Sequence, residues 1–421
     1  MQPLRSRFVH LVAILLIAAF AFNSIALAQS RPQRPEPSKG EGGKRNQRPV
    51  PKTEEELKKE EEERKRLEEE KNATEEPGVV SVDTNTVSID AVVFNKKTGQ
   101  IITGLKKANF AIFEDGVKKD ISSFTTPDAP ITVTVVLEYS KWTETFGRAN
   151  SGTFEPGVYE AVRPVAEFLG RFIHPPDDYA SVIAFDIRPT PITDFTNDPN
   201  RLRQTVELLF RNSPAFRENN LYDSLKFALV GGKGDSVVLE KSKSRTTMYG
   251  GMVDVKAKRR AIILVASGLN TFSGISFSDL RKIAQEAGIP IYIISTANLF
   301  CKLYCDYLDP NKVMVGMPDR LDFITATNQM NTLAKETGGA HFPMTFPGET
   351  GGYLNSINSL LRSQYNLAYD LDQPHEPGRK YKLEVKVDVD GDGVYDDKTF
   401  VVQHRLFVTV AKPKDAPKLK S

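Results

Sequence analysis

Three near-continuous apolar runs constrain this chain most: ITVTVVL at 131–137, AIILVA at 261–266 and IYIIS at 291–295. A strand with one wetted face alternates apolar and polar residues, whereas a strand covered on both faces need not. Helix-period stretches occupy 157–173, 199–211, 220–230, 276–287, 322–336 and 351–364, and further strand-like runs lie at 179–186, 190–194 and 340–344. Stops such as Gly288 before Ile289-Pro290, and Gly338-Gly339 before Ala340, bound several of them. The alternation predicts an α/β fold over 129–364, a doubly wound and mostly parallel six-stranded sheet with helices on both faces. In such a sheet ligands bind beyond the carboxyl ends of the strands.

The flanks have a different period. Residues 78–128 and 365–412 alternate apolar and polar in short runs, broken by turns such as Lys97-Thr98-Gly99 and Glu114-Asp115-Gly116. Each segment is too small to bury much surface alone. The two are therefore expected to pair as one antiparallel β-sandwich into which the α/β domain is inserted, with two separate modules as the alternative.

Outside these regions little can be buried. Residues 1–28 carry Arg5 and Arg7, an apolar stretch from Val9 to Phe22 and the small-residue site Ala26-Leu27-Ala28. They read as a signal peptide, against an uncleaved anchor, and place the protein in the periplasm or outside the cell. Residues 29–77 are Pro-rich and then charged, a composition that stays unfolded or forms a solvated helix. Only Leu57 and Leu67 could serve a coiled-coil seam. A basic tail covers 413–421. After the signal no run reaches the roughly 20 apolar residues of a membrane-spanning helix. The formal charge of +2 gives no field directed at nucleic acid.

The phrases FAIFEDGVKKDISSF, DFTNDPNRLRQTV, NNLYDSLKFAL and LAKETGGAHF, in this order and spacing, resemble bacterial exported proteins with a von Willebrand factor A-type (VWFA) domain. The resemblance covers Val79 to the C-terminus. It implies a metal-ion-dependent adhesion site, in which an Asp-x-Ser-x-Ser loop, a distant Thr and a distant Asp hold Mg²⁺ or Mn²⁺ and an acidic residue of the partner completes the shell. Those positions fall here on Glu138, Ser140, Trp142, Asn219 and Ser267. Only Ser140 matches, and one carboxylate remains where two are expected. One carboxylate and three neutral oxygens compete poorly with water for Mg²⁺, which dehydrates reluctantly. The expectation is a degenerate site that holds neither Mg²⁺ nor Mn²⁺. Trp142, the sole tryptophan, is either an anchor for a partner or a filler of the vacated volume.

Two other motifs carry chemistry. Asp388, Asp390, Asp392 and Asp396 match the opening of a calcium loop, but Thr399 stands where a bidentate Glu belongs and strand-like runs flank it. Weak Ca²⁺ binding and a plain hairpin tip are both open. Cys301 and Cys305, the only cysteines, suit a disulfide pinning the loop after the run IPIYIIST. A redox pair, a metal site or two free thiols are the alternatives. The stretch 231–260 is long for a connection and polar, which predicts a solvated insertion.

The five histidines are scattered without zinc or triad spacing. The function expected is therefore non-catalytic: an exported protein-binding or adhesion-type protein that requires no cofactor and meets a protein partner in the envelope or extracellular space. A calcium-stabilised structural module is the alternative, and an extracytoplasmic thiol-redox or hydrolytic enzyme a further one.

Overall fold

The computed structural model describes residues 86–409 except 128, 142, 144–156, 234–247, 258, 305–317 and 373–374. The signal peptide, the 29–77 linker, Trp142, Cys305 and the basic tail lie outside the described residues.

The chain enters through four strands, β1 (Thr86–Asn95), β2 (Phe110–Glu114), β3 (Val117–Lys119) and β4 (Ile121–Thr125). It continues through β5 (Ile131–Glu138), α1 (Gly157–Phe172), β6 (Tyr179–Phe185), β7 (Pro189–Thr196), α2 (Pro199–Arg211) and α3 (Leu221–Val230). A small hairpin, β8 (Gly232–Lys233) and β9 (Met248–Tyr249), precedes β10 (Arg259–Ala266), α4 (Phe277–Ala287), β11 (Ile291–Ser295) and α5 (Ala297–Tyr304). Then come α6 (Arg320–Thr337), β12 (His341–Pro343) and α7 (Thr350–Arg362). The last strands are β13 (Tyr365–Asp370), β14 (Lys380–Val387), β15 (Phe400–Gln403) and β16 (Phe407–Thr409).

The central sheet has the order β12-β11-β10-β5-β6-β7, parallel throughout except for β7 at one edge. Both faces of β5 are buried, as its near-continuous apolar run predicts. Val133, Val135 and Leu137 pack with α1, α2 and α7 on one side, through residues such as Val165, Leu209 and Ile357. Val136 packs on the other side with Leu225 of α3, Leu280 of α4 and Met330 of α6.

The flanking strands form two four-stranded sheets, β15-β1-β13-β4 and β16-β14-β2-β3. Each contains strands from both ends of the chain: β1 pairs antiparallel with β13, Thr86 opposite Asp370, and β2 with β14, Glu114 opposite Leu383. Ile89 and Ile112 share one apolar core with Leu367 and Val385. The N- and C-terminal segments thus complete each other's sheets.

A buried arginine fastens the two junctions of this insertion. Arg259, at the start of β10 and 1% exposed, donates from Nη2 to the carbonyls of Thr126 (2.9 Å) and Gln364 (2.8 Å). Its Nη1 reaches those of Pro127 (2.7 Å), Ala129 (3.3 Å) and Leu361 (3.5 Å). One planar fork therefore holds the segment that enters the α/β domain and the segment that leaves it. Close packing continues where β11 and β12 begin, since a Cβ on Gly339 would overlap the carbonyl oxygen of Ile291.

Two expectations need correction. The 231–260 stretch is not wholly a solvated insertion, because Tyr249 and Met252 are buried in the core. The Tyr249 ring stacks on Phe227 and Phe195, and its hydroxyl meets Ser181 (2.8 Å) and Thr134 (3.2 Å) between β5 and β6. Burial pushes this phenol up to about 12. Residues 297–304, after β11, are likewise not a loop but helix α5, which carries Cys301. Cys301 is disulfide-bonded, and its only possible partner within the chain, Cys305, lies outside the described residues.

Candidate functional site

The carboxyl ends of the parallel strands bring together four of the five positions singled out from the sequence. Glu138 is the last residue of β5, Ser140 follows two residues later, Ser267 directly follows β10, and Asn219 precedes α3. All four are essentially inaccessible to solvent.

Their chemistry is organised around the Glu138 carboxylate. Oε2 accepts from the backbone N–H of Ser267 (2.6 Å) and from its hydroxyl (2.6 Å). Oε1 accepts from the Ser140 hydroxyl (2.9 Å) and from Nδ2 of Asn219 (3.0 Å). Two donors on each oxygen match the acceptor capacity of a carboxylate. The extra methylene of Glu relative to Asp carries the group across from β5 to Ser267 beyond β10. Ser at 267 matters equally, since a second carboxylate there would repel the first unless a cation lay between them. The departures at the two acidic positions of the adhesion-site pattern are complementary: one acid is lengthened and the other is replaced by a pair of donors. Asn219 bears a cost, because its Oδ1 is buried without a hydrogen-bond partner among the described residues. Rotating the amide would place that oxygen against Glu138, acceptor against acceptor.

A second layer fixes these groups. Both Thr271 N–H (3.1 Å) and Phe272 N–H (2.9 Å) donate to the Asn219 carbonyl, and Asn219 N–H donates to the Thr271 hydroxyl (2.8 Å). Asn220, the residue before α3, makes no side-chain cap bond. Instead Oδ1 of Asn270 accepts from Leu221 N–H (3.1 Å) and Oγ of Ser273 from Tyr222 N–H (3.0 Å), so a neighbouring loop caps the helix. The roles of Asn270, Thr271 and Ser273 were not visible in the sequence, since their residue types are common in turns of any kind.

The loops at this end also display aromatic surface. Phe216 is 44% exposed and Phe272 59% exposed. The Phe216 carbonyl accepts from Lys141 N–H (2.7 Å), which ties its loop to the chain just after Glu138.

The aspartate motif is not a hairpin tip, because β14 and β15 belong to different sheets; on the connection between them Asp388, Asp390 and Asp392 each offer a carboxylate oxygen within 4.8 Å of the others. Asp388 accepts from Gly391 N–H (2.7 Å) and Gly393 N–H (2.8 Å). Burial works to raise its pKa, but these backbone donors outweigh it and hold the carboxyl below its ordinary value. Gly391 and Gly393 take φ of 79° and 89°, the left-handed conformation that glycine adopts without strain. Asp396 stands outside this group and accepts from Val389 N–H (2.8 Å).

The structure also contains a contact that spacing did not reveal. Ser295 Oγ lies 2.7 Å from Nε2 of His341, across β11 and β12. Ser295 is fully buried, which keeps a substrate from its hydroxyl. Burial pushes the His341 imidazole down to about 4. Between pH 6.5 and about 4 the unfolded chain takes up a proton that the folded ring refuses, so stability should fall as pH drops through that window and level off below it. The expected loss is about 1–2 kcal/mol after allowance for solvent around a partly exposed ring. Urea titrations of wild type and His341→Gln at several pH values check this: the variant's stability should fall less over that window.

The α/β domain is a six-stranded sheet, parallel except at β7, with helices on both faces, the architecture that the sequence resemblance implies. Its likenesses among solved structures are of chain path. Proximal thread matrix protein 1 from the mussel byssus is 10% identical with a TM-score of 0.38, over 59% of this chain and 51% of that one. This chain therefore spans about half the length of that protein. The BatB protein of Bacteroides thetaiotaomicron is 13% identical with a TM-score of 0.34, over 55% of this chain and 100% of that one. The von Willebrand factor domain of the type V pili tip protein Mfa5 from Porphyromonas gingivalis is 14% identical with a TM-score of 0.36, over 56% and 95%. No family model and no curated protein matches the sequence. Among the described residues no helix is long and apolar enough to cross a membrane.

Proposed function

We propose that this is an exported, non-catalytic binding protein whose VWA-like domain engages a protein partner without a metal ion. The observation that carries the reading is the Glu138 carboxylate, both of whose oxygens already accept two protein donors. A group so engaged must break these bonds before it can ligate Mg²⁺, which in turn must shed tightly held water. The exposed Phe216 and Phe272 supply an alternative contact on the surrounding loops, of the apolar kind that dominates interface energetics. Export rests on the N-terminal signal-like segment. The test is capture of partners from the native envelope fraction, with and without EDTA. The same proteins should be retained in both, and the double variant F216A/F272A should lose them. Capture that requires Mg²⁺ would refute the proposal.

A second reading, a calcium-stabilised structural module, is favoured by the convergence of Asp388, Asp390 and Asp392. It predicts a melting temperature that rises with millimolar Ca²⁺ but not with Mg²⁺, the affinity range of extracellular modules. The rise should vanish in D390N/D392N. An unchanged melting temperature in Ca²⁺ rules it out.

A further inference from the structure

Beside the Glu138 cluster lies a cavity of about 440 Å³, within the size range of about 300–1,000 Å³ typical of ligand sites. Tyr139, the residue after Glu138, lines it and ties it to α2 by donating from its hydroxyl to the Leu209 carbonyl (2.7 Å). Ile192 of β7 and Leu208 and Leu209 of α2 form apolar walls, and the exposed Ala215 lines it from the loop before α3. Asp186, at the end of β6, brings one carboxylate to this apolar space. Burial raises its pKa despite opposing hydrogen bonds from the backbone of Arg188 and Ile187 and the nearby positive charge of Arg188.

An apolar slot with one acid suits an occupant with an aliphatic stem and a cationic end, which buries methylenes while its charge meets the carboxylate. We propose that the cavity between α2 and the β6–β7 edge receives a lysine side chain of the partner protein, its ammonium paired with Asp186. This inverts the polarity of a metal-dependent site, which would recruit an acidic residue. It rests on the partner-binding reading above, but the experiment below measures no metal, so the two fail separately.

The test uses the folded, isotope-labelled protein and three blocked glycine pentapeptides whose central residue is lysine, norleucine or glutamate. Titrations followed by NMR should shift the amides of Asp186, Thr190 and Ala215 with the lysine peptide. Norleucine should bind at least about tenfold more weakly, the loss of one charge-assisted contact. Asp186→Asn should weaken lysine binding to the norleucine level. Ala215→Trp, at an exposed position, should fill the cavity and abolish binding while an unchanged melting temperature reports an intact fold. Equal binding of norleucine and lysine, binding of the glutamate peptide, full affinity in Asp186→Asn or no shift at these amides would each overturn the proposal.

Discussion

Glu138→Ala should destabilise the protein by about 3–5 kcal/mol, whereas Glu138→Gln should cost only about 1 kcal/mol. The alanine variant strands the hydroxyls of Ser140 and Ser267, the Ser267 N–H and the Asn219 amide in a dry interior, where each unpaired group carries a desolvation penalty. Glutamine keeps the reach of Glu138. Its amide oxygen can accept the two donors of Ser267, and its NH₂ can face Ser140, whose hydroxyl also accepts. Rotation of Asn219 would then turn Oδ1, now without a partner, toward the new donor. Urea unfolding of the three proteins in EDTA measures the difference. If both variants lose the same stability, the hydrogen-bond network is not what holds the site together. If neither does, it contributes nothing.

Arg259→Met should cost about 3–5 kcal/mol, because it leaves five carbonyls that the guanidinium now engages short of a donor. Arg259→Lys should recover part of this, since an ammonium has three donors and no planar fork. The damage should appear at the junctions. Limited proteolysis of Arg259→Met should cut between Thr125 and Ile131, ahead of β5, before the sandwich or the α/β core is attacked. A loss below about 1 kcal/mol with an unchanged cleavage pattern would show that the junctions are held by other contacts.

Most of the fold was legible because burial on both faces leaves a mark in the sequence. The runs around Val135, Leu264 and Ile293 could belong only to covered strands, and Gly288 and Gly338 ended the helices between them in left-handed conformations. Helix α5 escaped notice because it is short and starts almost directly from β11. Tyr249 escaped because a single aromatic after a charged stretch has no period to betray it. At the site, the family resemblance singled out Glu138, Ser140, Asn219 and Ser267, but it could not say what the carboxylate does. That depended on distances between residues 81 and 129 positions apart. The same holds for Ser295 and His341, neighbours only because β11 and β12 pair.

The most direct measurement is a crystal structure of the protein grown in millimolar Mn²⁺, with anomalous scattering recorded for the metal. No manganese should lie among Glu138, Ser140, Asn219 and Ser267, and the carboxylate should keep its four protein donors. A manganese ion ligated by Glu138, with Ser267 turned away from it, would contradict the metal-free reading of this site.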